Sequence, residues 1–143
     1  MTRYLLDTNI ASHVIRGDVP GVRERLVALP VHNVAISAVT RGDLTYGLAK
    51  RGSPAALGAL IHEFLVRVEV LPWTAEVADV YGRLRASCEA RGVSLGALDM
   101  MIAAHAVAAD AVLVTRDRAF SRVEGGLKSE DWTGQRSSPD TRM

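Results

Sequence analysis

Arg3-Tyr4-Leu5-Leu6-Asp7-Thr8-Asn9 is the stretch on which the reading of this chain turns. Its first four residues are short and apolar and read as a buried strand. The three polar residues that follow offer helix N-capping side chains before Ile10, Ala11 and Val14. A strand that stops on an acid and passes at once into a helix sets the pattern for what comes after.

Working outward, Gly17-Asp18-Val19-Pro20 breaks the chain, and a second helix over residues 22–29 is stopped by Pro30. Val34-Ala35-Ile36 is β-branched and short, a second strand. Ser37 then caps a helix through Val39, Asp43, Leu44 and Gly47, and Arg51-Gly52-Ser53-Pro54 separates it from another helix ending near Leu65. Residues 66–71 alternate, with Val66, Val68 and Val70 on one face and Arg67 and Glu69 on the other, so a third, less buried strand is expected. Val77, Val80, Tyr81, Leu84 and Cys88 recur at helical spacing. Residues 98–109 are apolar nearly all round, which predicts a helix packed on a sheet, and Val112-Leu113-Val114 is the fourth strand. A weak fifth is placed near Gly126-Leu127-Lys128. Strands alternating with helices predict an α/β fold with a largely parallel sheet.

The chain has 143 residues, fitting one domain with a real core. Residues 1–133 are read as that domain, and the polar stretch 134–143, with Ser, Pro and Gly, as a disordered tail. The single Cys88 excludes an internal disulfide and a cysteine-rich zinc site, and points to the reducing cytoplasm. No signal-like segment and no apolar run of membrane-spanning length is present. The net charge of +1 neither demands nor excludes nucleic acid, although arginine supplies nearly all the positive charge, Lys50 and Lys128 being the only lysines.

The chemistry lies in four aspartates. Asp7 stands at the carboxyl end of the first strand and Asp117 just beyond that of the fourth, where ligands bind in open parallel sheets. Asp43 falls two turns into the helix after the second strand, on the face of Ile36 and Val39, and Asp99 lies in the first turn of the helix before the fourth strand. All four face one cleft if the first, second and fourth strands are neighbours. Carboxylates gathered there repel, so a cation or a proton must join them. Hard divalent ions such as Mg2+ and Mn2+ take oxygen ligands, bind phosphate and lower the pKa of bound water, which makes phosphodiester hydrolysis the natural reaction class. Thr8, Asn9, Ser37 and Thr115 bring hydroxyls and an amide suited to hydrogen-bonding the acids. Helix capping alone accounts for Asp7 and Asp117 taken singly, and the macrodipole for Asp99. Asp43 is harder to explain so, because a helix interior disfavours aspartate.

Taken in order, Leu5-Leu6-Asp7-Thr8-Asn9, Ile36-Ser37-Ala38-Val39-Thr40, Leu44-Thr45-Tyr46-Gly47, Asp99-Met100-Met101-Ile102-Ala103-Ala104-His105-Ala106 and Val114-Thr115-Arg116-Asp117 resemble the PIN-domain ribonuclease toxins called VapC. Phe120-Ser121-Arg122-Val123 and Leu127-Lys128-Ser129-Glu130-Asp131-Trp132 resemble the initiator-tRNA-cleaving branch, and the match runs from about Arg3 to Trp132. The resemblance implies a PIN-type three-layer sandwich, a central parallel sheet flanked by helices. It implies an Mg2+- or Mn2+-dependent endoribonuclease, usually dimeric, encoded with a VapB antitoxin whose C-terminal segment covers the cleft, and an RNA substrate, tRNA being indicated. Asp7, Asp99 and Asp117 match the family's metal-site acids. Asp43 stands where the family usually has glutamate, one methylene longer, so its carboxylate is expected to reach the metal directly or through water.

Arg41, Lys50 and Arg51 on the second-strand helix, and Arg116, Arg118 and Arg122 after the fourth strand, are candidates for RNA phosphate contacts, with solvated faces as the plainer account; Arg41, Arg116 and Arg118 head the set. Tyr46 and Trp73 are candidates for base stacking or for packing. His13, His32, His62 and His105 show no paired metal spacing, and His105 reads as a core or interface histidine; a Ser37–His105 nucleophile lacks a supporting elbow motif. Two other functions stay open: a catalytically weak PIN module acting by binding RNA or antitoxin, which Asp43 suggests, and a phosphotransfer protein with aspartates at strand ends. The second lacks both the paired Asp of a haloacid-dehalogenase-like phosphatase and a late-strand lysine of a receiver.

Overall fold

The computed structural model describes residues 2–133; the tail at 134–143 lies outside the described residues. Strand β1 (Tyr4–Leu6) runs straight into helix α1 (Thr8–Arg16), with Asp7 as the hinge between them. Helix α2 (Pro20–Val27) follows, its proline at the first turn where no backbone donor is missed, and a short 3-10 turn (Val31–Asn33) leads to β2 (Val34–Ser37). Helices α3 (Ala38–Lys50) and α4 (Ala55–Leu65) precede β3 (Glu69–Leu71). Helices α5 (Ala75–Ala90) and α6 (Ala97–Ala108), strand β4 (Val112–Val114), a 3-10 helix (Arg118–Arg122) and β5 (Lys128–Glu130) complete the order.

The five strands form one parallel sheet in the order β3-β2-β1-β4-β5. Successive side chains on β1 point to opposite faces, and both faces are covered. Leu5, Ala35 and Leu113 pack with Leu84, Cys88, Ile102 and Phe120 beneath α5 and α6. Leu6, Ile36 and Val114 pack with Ile10, Val14, Val22, Phe64 and Trp132 beneath α1, α2 and α4. This is the expected sandwich of helices, parallel sheet and helices. Among the described residues no helix is long and apolar enough to cross a membrane.

Two strands differ from their predicted bounds. Val66 ends α4 in the right-handed helical region, its N–H bonding to His62, and is 66% exposed, so β3 starts only at Glu69 although Val68 is buried as the alternation requires. Glu124, Gly125 and Gly126 all take positive φ (58°, 60° and 88°), a tight reversal closed by the Leu127 N–H on the Glu124 carbonyl, so β5 begins at Lys128. Glycine suits position 125: its φ is positive, and a Cβ there would sit 2.7 Å from Leu84 Cδ1, so the leucine would have to shift.

Candidate active site

Leu5 lies between Ala35 and Leu113 in register, so the adjacency of first, second and fourth strands that the sequence left open is met. The chain builds the sheet to one side of β1 through β2 and β3, then returns to its other side with β4. The crevice beyond the carboxyl ends of β1 and β4 is therefore the topological switch point, where open α/β sheets bind ligands.

Each acid is held by local structure. Asp7 caps α1, its Oδ1 accepting from the Ile10 N–H at 2.8 Å, while its own N–H extends the sheet to the Val114 carbonyl at 3.1 Å; it is 4% exposed. Asp117 caps the 3-10 helix, accepting from Ala119 N–H at 2.9 Å, and its N–H donates to Thr115 Oγ1 at 3.0 Å. Asp99 lies in the first turn of α6, whose cap, Gly96, supplies no side chain. Asp43 on α3 accepts from the hydroxyl of Thr8 at 3.2 Å. Together with Thr8, Asn9, Gly96, Ala97 and Leu98 these four line one cleft of about 440 Å³.

The electrostatics of the cleft are uncompensated. Burial pushes the Asp7 carboxyl up; hydrogen bonds from Thr115 and the Ile10 N–H oppose that, and the charges of Asp99 and Asp117 add to it. Asp99 is also pushed up, first by burial, then by Asp117 and Asp43. Among the described residues none of the four acids is in an ion pair, the bridges lying elsewhere, as at Arg3–Glu69 and Arg25–Glu130. The donors suit a hard divalent ion in kind and in charge. Among the described residues no group of three His, Cys, Asp or Glu side chains is close enough to share one ion. Mg2+ asks for less than that, since it keeps several waters beside one or two carboxylates.

Of the polar neighbours singled out from sequence, Thr8 and Asn9 line the cleft and the Thr115 hydroxyl bonds Asp7. Ser37 stands apart: fully buried, it caps α3 through the Val39 N–H (3.0 Å) and meets His105 Nδ1 at 2.8 Å. Burial lowers the His105 pKa and keeps the ring neutral, and Trp73 packs edge-on to it at 5.6 Å, so this pair belongs to the core and offers no accessible nucleophile. Arg41, Arg116 and Arg118 are exposed and none lines the cleft, although Arg116 and Arg118 flank Asp117 in the chain. Tyr46 is 63% exposed with Lys50 over its ring. The sequence reading missed two contacts: Thr40, whose buried hydroxyl is 3.1 Å from that of Thr8, and His13, which meets Arg116. Thr40 carried one signal, its place three residues before Asp43 on the same helix face; His13 carried none.

The cleft does not end at the acids. Thr8 and Asp43 also border a hollow between α1, α3 and α4 that includes Ile15, Leu44 and Ile61, and Ile15 borders a further one with Leu26, Val27, Leu60 and Phe64. A largely apolar furrow thus leads from the acids along α1.

Residues 4–126 match the model of the PIN domain family. The chain is 39% identical to the tRNA(fMet)-specific endonuclease VapC of Shigella flexneri over 93% of its own length and all of that protein's. Among solved structures, VapBC2 from Rickettsia felis bound to a promoter DNA fragment superposes with a TM-score of 0.85 at 32% identity, covering 92% of this chain and 99% of that one. DNA-bound VapBC from Salmonella typhimurium gives the same TM-score at 34% identity, with the same coverage.

Proposed function

The chain belongs to the VapC ribonucleases of the PIN-domain family, the toxins of toxin–antitoxin pairs, and from that premise we propose that it is an Mg2+- or Mn2+-dependent endoribonuclease hydrolysing phosphodiester bonds in tRNA, initiator tRNA before others. PIN-domain nucleases are in general dependent on a divalent metal. The observation that carries the reading is the cleft itself: four carboxylates at the switch point, two of them pushed up in pKa, without a cationic partner among the described residues.

Asp7 and Asp99 would hold the ion, with Asp117 and Asp43 reaching it through its waters. Bound there, the metal supplies Lewis-acid stabilisation of phosphate charge and a water of lowered pKa. The residues do the rest. Thr115 donates to Asp7 and receives the Asp117 N–H, so one hydroxyl fixes two of the acids relative to each other. Arg116 and Arg118 stand on the Asp117 side of the cleft as phosphate contacts, and Arg41 on the α3 side. The furrow along α1 suits the C-terminal segment of a VapB-type antitoxin, apolar where it meets Ile15, Leu26 and Phe64 and basic where it reaches the acids. The toxin is proposed to act in the cytoplasm as a homodimer within a larger toxin–antitoxin complex.

A second reading keeps the fold and weakens the chemistry. Asp43, one methylene short of the glutamate expected at its position, favours a module that binds RNA or antitoxin and cuts slowly. Incubating a tRNA pool with metal-stripped protein, then adding Mg2+ or Mn2+, and sequencing the ends produced separates the readings. Discrete metal-dependent cuts, lost in Asp7→Ala, support the enzyme; unchanged cleavage by a folded Asp7→Ala would overturn the assignment. RNA binding without cuts supports the weak module.

A further inference from the structure

We propose that Thr40 is a positioning residue for Asp43, acting through the hydroxyl of Thr8. This inference rests on the reading of the acid cleft as a divalent-cation site and adds how one of its four carboxylates is aimed.

Thr40 is fully buried on α3, one turn before Asp43. Its Oγ1 lies 3.1 Å from Thr8 Oγ1, and the same Thr8 oxygen lies 3.2 Å from Asp43 Oδ2. A hydroxyl has a single proton to give, and an ionised carboxylate only accepts. The order of donation follows: Thr8 gives its proton to Asp43 and accepts one from Thr40. Three side chains on two helices thereby form a directed chain that ends on an acid of the cleft, and each bond polarises the next. A buried helical threonine can satisfy its hydroxyl on the carbonyl four residues back. That of Thr40 instead reaches across to α1, 32 residues away, which a purely local role does not require.

The chain has a particular use here. Asp43 is shorter than glutamate, so its carboxylate lies back against α1, with Oδ2 engaged by Thr8. Oδ1 is left for the cleft, in an orientation set by the Thr8 bond. Without Thr40 the Thr8 hydroxyl loses its donor and is free to rotate away, and the short carboxylate loses the contact that fixes its rotamer. Loss of such an outer partner typically weakens metal binding by about 10–100-fold. Thr40 is two hydrogen bonds removed from the Asp43 carboxylate, so the lower end, roughly tenfold, is expected.

Calorimetric titration of the metal-free protein with Mn2+ tests this, with urea unfolding as a control for the fold. Thr40→Val is expected to weaken Mn2+ binding about tenfold, and Thr40→Ser, which keeps the hydroxyl, to stay close to wild type. In an Asp43→Ala background, Thr40→Val is expected to add nothing. Thr8→Val, compared with Thr8→Ser, repeats the test from the other end of the chain should Thr40→Val fail to fold. Wild-type affinity in both valine variants, or an equal loss with and without Asp43, overturns the positioning role while leaving the metal site intact. A wild type that takes up no Mn2+ overturns the metal site itself, and the inference with it.

Discussion

Arg116 Nη1 lies 3.2 Å from Nε2 of His13, tying the residue before Asp117 to helix α1. A guanidinium can only donate, so Nε2 accepts from Arg116, while Nδ1 meets both Asp18 Oδ1 at 2.9 Å and Arg16 Nη2 at 3.2 Å. Asp18 is held below its usual pKa by the His13 contact and by Arg16. The imidazole thus spans Asp18 and Arg116 and ties the guanidinium to α1. Replacing His13 with Phe removes the acceptor and is expected to raise KM for RNA about 3–10-fold, with kcat nearly kept, and to lower the salt dependence of binding. His13→Gln, which can accept from Arg116 and donate to Asp18, is expected to stay within about twofold. Equal losses in both variants would show that the contact does not orient Arg116.

Asp7 and Asp99 make the metal-free fold sensitive to pH. A carboxyl whose pKa rises on folding holds its proton more tightly folded than unfolded. Its favourable contribution is complete below the ordinary value of 3.8 and is lost as pH rises through the raised folded value. At neutral pH both groups therefore weigh against the metal-free protein. Asp7→Asn keeps a capping side chain for α1 but removes a charge. It is expected to melt higher than wild type at about pH 7.5 without metal, the gap closing toward roughly pH 4. Mg2+ at about one hundred times its Kd should stabilise wild type by about 2.7 kcal/mol and the variant much less. Thermal melts at several pH values, with and without Mg2+, check both signs.

Lengthening position 43 tests whether reach limits the site. Asp43→Glu carries the carboxylate past Thr8 Oγ1 and further into the cleft. Tighter Mg2+ binding or faster cleavage is expected, read as a lower Mg2+ midpoint in the cleavage assay. An unchanged midpoint and rate would mean that the shorter side chain already serves.

Trp132 closes the apolar layer under α1 and α2. It is 1% exposed, its ring 5.2 Å from that of Tyr4 and 5.0 Å from the Arg25 guanidinium, and its Nε1 donates to Glu130 at 3.1 Å. Trp132→Ala is expected to cost about 3–5 kcal/mol in urea unfolding, because a large cavity opens in that layer. A loss under about 1 kcal/mol would mean that Trp132 is not part of the cooperative core.

Much of this molecule could be read from the chain because its central strands, β1, β2 and β4, are largely buried on both faces. Tyr4-Leu5-Leu6 and Val112-Leu113-Val114 are apolar without interruption and stop on polar residues, so sheet positions and the acids beyond them were legible together. Alternation at 66–71 misled, since Val66 belongs to the last turn of α4 and faces solvent. Ser37 shows the limit at the site: its place after a strand matches that of Asp7, yet its hydroxyl turns to His105. Strand order was not written in any local pattern, and contacts between distant segments, Thr8 with Thr40 and His13 with Arg116, follow from that order alone.

The position of β1 in the middle of the sheet carries a temporal consequence. Its neighbour β4, and with it Asp117, is made more than a hundred residues later. A nascent chain on the ribosome therefore holds Asp7 and Asp43 long before the set is complete, and its central strand stays open on one edge until the last quarter of the chain has emerged. The acid cleft therefore cannot form until β4 and Asp117 have been made, well after Asp7 and Asp43.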